Sequence, residues 1–268
     1  MKSIMLPESC YKFKALSFDE VSEACAQQKT ITCWVEEILE DEERFLIKLG
    51  NNLYGYLPFS EATIYPFRYS SNPSTTLPIQ IFSLEKKLVR AKVTSVDNTI
   101  TLSRKANMEK AFEYLKKCSK VYFHITSTSG TIAFGDAGDG LTARIHLKDV
   151  CRSRIRNISE YFHKGDKLWL ANLGADEGDK RFNLSYKKIF PKYNPDSFSP
   201  GDAVNCTINE PLDDMHTAYF VTVSPQVTGI MNCPDWIPDI NYGNKVQCYV
   251  VRATEKGLKL RFAKFIEN

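Results

Sequence analysis

The stretch that decides the fold is "TITLSRKANM", Thr99 to Met108. It begins as a β-strand does, with Ile100 and Leu102 set against Thr101 and Ser103, since successive side chains on a strand point to opposite faces. It then turns basic at Arg104 and Lys105 and runs into "MEKAFEYLKK" (Met108–Lys117), which reads as a helix. The phrase comes back as "RFNLSYKKIF" (Arg181–Phe190) and, more loosely, as "GLKLRFAKFI" (Gly257–Ile266). Its leucines, Leu102, Leu184 and Leu260, are 82 and 76 residues apart. Such separations are too long for a solenoid repeat and suit a small domain used three times.

Working outward from each echo, the same parts recur in the same order. A period-two run opens each copy: "ITCWVEEIL" (Ile31–Leu39), "VYFHIT" (Val121–Thr126) and "AVNCTI" (Ala203–Ile208). Alternation of this kind argues for half-buried strands. Second strands follow at Arg44–Gly50, Gly130–Gly135 and Thr217–Val223, and third strands at Leu53–Phe59, Leu141–Leu147 and Val227–Asn232. A variable loop comes next; in the first copy it is the proline-rich "ATIYPFRYSSNPSTTLP", whose Pro, Ser, Thr and Asn content forbids regular structure. Fourth strands lie at Lys87–Asp97, Gly165–Gly174 and Asn244–Thr254, and the echo is the fifth. Five short strands with a loop before the fourth outline an OB barrel, a closed Greek-key sheet.

The expected fold class is therefore mainly β: three tandem five-stranded OB-fold barrels joined by short helical or extended linkers. The boundaries expected are an N-terminal extension over residues 1–29, barrels over 30–105, 119–190 and 197–268, a helical linker over 106–118 and a second linker over 191–196. In the extension, Ser17 stands three residues before Glu20 in "SFDEVSEACAQQK", a capping-box start for a short helix that could pack on the first barrel.

The repeated unit resembles the RNA-binding domain repeated in bacterial ribosomal protein S-one, and the whole resembles its short, few-domain relatives. The residues that carry the resemblance are "ITCWVEEI", "GYLPFSE" and "LVRAKVTSVDNTITLSRK" in the first copy, "ARIHLKDV", "FHKGDKLWL" and "KRFNLSYKK" in the second, and "AYFVTV", "FSPGDAVNC" and "TEKGLKLRF" in the third. It covers about residues 30–268. Cys33 departs from the family's first-strand glycine, Pro58 from its histidine or aromatic, and Arg261 from its closing serine. The resemblance implies single-stranded RNA as partner, messenger RNA in translation, and contact with the small ribosomal subunit.

Charge points the same way. The net +3 is uneven: residues 106–190 carry fifteen basic against ten acidic side chains, +5, whereas 191–268 carry seven against nine, −2, and the segments before them balance. A local basic excess is the usual footprint of a polyanion, with a solvated surface as the bland alternative. RNA recognition by such barrels needs cations along the phosphates and flat rings on the bases. The second copy supplies both. Arg144, His146 and Lys148 share one face of its third strand, His146 at the family's histidine position, and Tyr122 and His124 share one face of its first. Arg152, Arg154 and Arg156 fall in its variable loop, and Lys180, Arg181, Lys187 and Lys188 flank its closing strand. The first copy offers Tyr54, Tyr56, Arg90, Arg104 and Lys105; Arg104 and Lys105 are expected to leave the barrel rim where they could meet phosphate. Either tyrosine could equally pack against the long loop, and Trp34 has outward parity, although a tryptophan is more often partly buried than a stacking platform. In the third copy Tyr219 and Phe220 fall on the strand-two aromatic position, but the negative charge favours a protein-contact or structural role for that domain. The linker helix, placed at about 107–117, reads as a polar spacer or contact surface.

Nothing reads as an active site. There are four histidines, no C-x-x-C pair among eight cysteines, no G-x-S-x-G, no phosphate-cradling glycine loop and no H-E-x-x-H. "GDAGDG" (Gly135–Gly140) lies between two strands and reads as a hairpin turn, and "DEGD" (Asp176–Asp179) as the turn between strands four and five. No cofactor or metal is expected. Scattered cysteines read as reduced thiols, no apolar run reaches the length of a membrane helix, and the N-terminus has no secretory signal, so a cytoplasmic protein is expected; the resemblance implies that it is a bacterial, non-catalytic RNA-binding one. The rival is a protein-interaction adaptor whose barrels no longer bind RNA; an exposed apolar patch would favour it.

Overall fold

The computed structural model describes all residues except 1–4, 71–76, 154, 213–215, 234–236, 238–239 and 267–268. A short helix α1 (Phe18–Ala26) precedes the first barrel, β1 (Thr30–Leu39), β2 (Arg44–Gly50), β3 (Leu53–Pro58), β4 (Leu88–Val96) and β5 (Ile100–Ser103), with the one-turn helix α2 (Ile79–Phe82) between β3 and β4. Helix α3 (Arg104–Leu115) leads to β6 (Lys120–Ser129), β7 (Ile132–Asp136), β8 (Thr142–His146), β9 (Lys167–Asp176) and β10 (Arg181–Ser185). The third barrel is β11 (Ala203–Pro211), β12 (Ala218–Ser224), β13 (Val227–Asn232), β14 (Lys245–Thr254) and β15 (Gly257–Phe265). All three sheets close in the same strand order, first-second-third-fifth-fourth. Third and fifth strands pair in parallel (β3 with β5, β8 with β10, β13 with β15) and the other neighbours antiparallel. That is the OB topology, and the echo is the strand that closes each barrel: Leu102, Leu184 and Leu260 are all buried.

Closure demands a small residue where the third strand passes the fifth. Gly55 and Gly229 occupy that point in the outer barrels: a Cβ on Gly55 would lie 2.8 Å from Leu102 Cδ1, and one on Gly229 2.7 Å from the Leu258 carbonyl oxygen. Their cross-strand partners are the larger Ile47 and Val221. In the middle barrel the pair is Ala143 with Gly135. Bulges relieve the remaining strain; register shifts interrupt the pairing of β1 with β2 between Val35 and Glu37 and of β6 with β7 between Ile125 and Ser127, the usual way a sheet is bent into a barrel.

The connections are where the structure departs from expectation. Ser17 caps α1 with a complete capping box, and Val21 and Ala24 enter the core of the first barrel. Ser103 caps α3, accepting from the Ala106 N–H at 2.9 Å, so the helix begins at Arg104, earlier than expected. It is not a polar spacer. Met108, Ala111, Phe112 and Leu115 form an i, i+3, i+4, i+7 stripe sunk into the second barrel's core, with the Phe112 and Phe182 rings 5.2 Å apart. Asn107 is buried and accepts a 2.6 Å bond from the Thr30 hydroxyl. The helix thus grips both barrels.

Candidate nucleic-acid interface

In an OB barrel the outward side chains of the second and third strands, with the first strand beside them, are available to a ligand. The strand registers place these side chains in rows. On the first barrel Trp34, Lys48 and Tyr54 are register partners across β1, β2 and β3, all with outward parity. The Arg44 guanidinium lies 3.8 Å from the Tyr56 ring centroid, so Tyr56 is half-buried beneath a cation while Tyr54 is exposed. On the middle barrel Phe134 pairs with Arg144 and Ile132 with His146. Arg144 is held by the Asn183 side-chain oxygen at 2.8 Å and lies 3.8 Å from Asp176. On the third barrel Phe220, Ile230 and Lys259 form a row across β12, β13 and β15, with Phe220 44% exposed. Each barrel therefore presents an aromatic ring and a cation on the same outward row.

His146 is half-buried, and burial, with Arg144 and Lys148 adding to it, holds its imidazole below the ordinary histidine value. Lys148 is exposed but lies in the turn after β8, which ends at His146, so it leaves the strand face expected for it. His124 accepts from or donates to the Ser9 hydroxyl at 2.7 Å, and burial, then Lys167, lowers its pKa as well. Neutral rings suit base stacking rather than phosphate pairing. Tyr122 is half-buried against Trp169 on β9, their centroids 5.3 Å apart; Trp169 is 43% exposed and is a ring the sequence reading passed over, although its alternation in "KLWLANL" carries the signal. Phe134 was missed too, being read only as part of a strand.

Two expected phosphate contacts are spoken for. Arg104 does not leave the rim. It is buried, its Nε and Nη2 each 2.9 Å from the Glu8 carboxylate and its Nη1 donating to the Ala62 carbonyl oxygen at 2.9 Å. Arg90 is half-buried, 3.0 Å from Asp139 and 4.1 Å from the Tyr11 ring centroid. The Glu8 N–H donates to Asp136 at 2.7 Å, and the Asp139 N–H donates to the Leu6 carbonyl oxygen at 3.0 Å. The N-terminal segment is thus strapped across the first two barrels. Here "GDAGDG" is a hairpin turn, as expected, that also contributes two carboxylates to this junction. Glu8, Asp136 and Asp139 set three carboxylates against the two guanidiniums of Arg90 and Arg104. Burial, and then the nearness of Glu8, pushes Asp136 up to about 7; burial also raises Asp139, against the opposing pull of Arg90.

Two described residues of the second barrel's arginine loop, Arg152 and Arg156, also contact the third barrel. The Arg152 N–H donates to the Pro225 carbonyl oxygen at 2.9 Å, Arg156 stacks 4.4 Å from the Tyr242 ring centroid and lies 3.9 Å from Glu210, and the Tyr242 hydroxyl donates to Glu160. The Arg152 and Arg156 side chains keep exposed surface; Arg154 lies outside the described residues. Of the remaining cations, Lys105 and Lys180 are half-buried and Lys188 exposed. Arg181 is 3.8 Å from Asp179, and the Lys187 ammonium donates to the Lys148 carbonyl oxygen. All eight cysteines are free thiols. Among the described residues no helix is long and apolar enough to cross a membrane.

This geometry defines a tandem OB-fold protein with an aromatic and cationic row on each barrel. The sequence is weakly homologous to bacterial ribosomal protein bS1 over most of its length. It is 22% identical over 264 residues to small ribosomal subunit protein bS1 of Helicobacter pylori, covering 89% of this chain and 46% of that one. It is 22% identical over 227 residues to the bS1 homolog of Bacillus cereus, covering 80% and 58%. The chain thus spans about half the length of the curated relatives it matches. No family model matches it. Among solved structures, a multidomain protein with nucleic acid binding domains from Streptococcus pneumoniae aligns over 88% of this chain and 74% of its own at 13% identity, with a TM-score of 0.26, too loose a superposition to bear on function.

Proposed function

We propose that the protein binds single-stranded RNA without catalysing a reaction, using its barrels as three domains over residues 30–105, 119–190 and 197–268. The observation that carries this reading is the recurrence of an outward aromatic–cation row on the binding face of every barrel: Trp34, Lys48 and Tyr54; Phe134 and Arg144 beside His146; Phe220 and Lys259. Stacked bases and tracked phosphates are what such rows offer a flexible strand, whereas a duplex hides its base faces. The similarity to bS1 supports messenger RNA and the small ribosomal subunit as the setting, in the cytoplasm. The test is direct binding of the intact chain to single- and double-stranded RNA at two salt concentrations, with tighter, salt-sensitive binding of the single strand expected.

An adaptor role has its own supporting observation, confined to the third barrel. Tyr249 and Val251 of β14 and Phe265 of β15 are exposed, with Phe262 and Phe265 packed edge to face at 5.2 Å. This apolar surface borders the Phe220 row at Lys259, which pairs with Arg252 of β14, so a protein held through β14 and β15 would sit beside the RNA face of β12 and β13. Loss of a co-purifying protein on Tyr249→Ser with Val251→Ser, at unchanged RNA affinity, would establish it.

A further inference from the structure

We propose that the groove between the first and second barrels is a cleft for one base of a single-stranded RNA, stacked between Trp34 and Phe134, with the adjoining phosphate at Lys86 and Lys87. This rests on the RNA-binding reading and adds a site that no single barrel contains. The groove encloses about 500 Å³ and is lined by Trp34, Lys86, Lys87 and Leu88 from the first barrel and by His124, Phe134 and Thr142 from the second. That volume falls in the range of about 300–1,000 Å³ typical of small-ligand pockets.

Three features favour a nucleotide as occupant. Flat rings come from both walls: Trp34 has outward parity on β1, and Phe134 and His124 have it on β7 and β6. The rim is cationic: Lys87 is exposed, and Lys86, exposed too, donates to the Glu36 carbonyl oxygen and lies 3.6 Å from its carboxylate. The floor is polar and can meet a base edge, with Ser9 and Thr142 beside Asp136. His124 is fixed by its bond to Ser9 at 2.7 Å, and its lowered pKa, set first by burial, leaves a neutral ring on the wall.

The cleft is also pre-formed. Its floor includes Glu8 and Arg104, the same pair that, with Asp136, Asp139 and Arg90, ties the two barrels together. A base entering it does not have to bring the barrels into register first, so the ordering cost that weakens binding between loosely tethered domains is already met.

The test uses the intact chain and an oligouridylate of about ten nucleotides, within the site sizes of OB folds. Trp34→Ala and Phe134→Ala should each weaken binding about 5- to 150-fold, the range for losing one stacked base. The double variant should lose less than the product of the two, because both rings hold one base. Trp34→Tyr should retain most of the affinity. Photocrosslinking of a 4-thiouridine oligonucleotide to the parent should attach to peptides bearing Trp34 or Phe134, a readout that does not depend on variant folding. Full affinity in both alanine variants, or crosslinks only elsewhere, overturns the cleft while leaving RNA binding intact. No binding by the parent overturns the RNA reading and the cleft with it.

Discussion

Removing the Arg104 side chain should be among the most damaging single changes to the chain. Arg104 is buried, as is Glu8, and the two make a bidentate pair with both contacts at 2.9 Å. Arg104→Met keeps much of the volume but leaves Glu8 buried with Asp136 and Asp139 nearby and one cation fewer. Breaking a buried pair by deleting one partner costs about 3–5 kcal/mol, and the Ala62 carbonyl oxygen loses its charged donor, worth about 1.5–3 kcal/mol for such bonds. These overlap, so we expect a loss of about 4 kcal/mol in the joint stability of the first two barrels. Glu8→Leu with Arg104→Met should recover much of it, because neither member of the pair is then left buried without the other. Urea titration of the parent, both singles and the double, followed by fluorescence, gives the cycle. A loss below about 1 kcal/mol for Arg104→Met, the worth of a surface pair, would refute the buried-pair argument.

Other expectations follow from the same geometry. His146→Ala should weaken RNA binding about 5- to 150-fold with little change in melting temperature, and His146→Phe should retain most of it, since stacking needs a flat ring; unchanged affinity would remove His146 from the interface. The folded state holds a proton on Asp136 that the unfolded chain releases near pH 4, so the contribution of this group falls as pH rises from about 4 to about 7 and is level above that. Asp136→Asn should remove that part of the slope, read as the difference between the variant's and the parent's stability profiles; parallel profiles would contradict the raised pKa. Gly229→Val should destabilise the third barrel by about 1–3 kcal/mol, measured by thermal melting, because its Cβ meets the Leu258 carbonyl oxygen at 2.7 Å. Arg156→Ala should speed proteolysis between the second and third barrels, as it removes the contact with Tyr242 and Glu210; an unchanged cleavage pattern would show that the Arg156 contacts do not hold them together.

The barrels were legible because their information is local and repeated. Alternation within each strand, the fixed order of five strands and the Leu102, Leu184 and Leu260 echoes suffice to define three closed sheets without any long-range knowledge. The linker helix was half legible. Its stripe of Met108, Ala111, Phe112 and Leu115 has helical spacing, but Ala111 is small and the intervening lysines and glutamates give the segment a polar look. Arg104 could not be read. As a sequence it is an arginine at the end of a strand, like any rim cation; its role is set by Glu8, 96 residues earlier, and by the two aspartates of a turn that looked sufficient as a turn. The contacts that the arginine loop makes across the junction could not be read for the same reason, since Tyr242 and Glu210 lie on another barrel. Side chains on outward rows were readable by parity; those at junctions between barrels depend on partners that no local pattern announces.

The measurement that tests the central claim most directly is the affinity of the intact chain for one RNA sequence, single-stranded and annealed to its complement, from about 50 to about 200 mM salt. The account predicts tighter binding of the single strand at every salt concentration, with log affinity falling linearly against log salt as phosphate contacts release counterions. Equal affinity for the duplex, or no measurable affinity for either at the lowest salt, would contradict it.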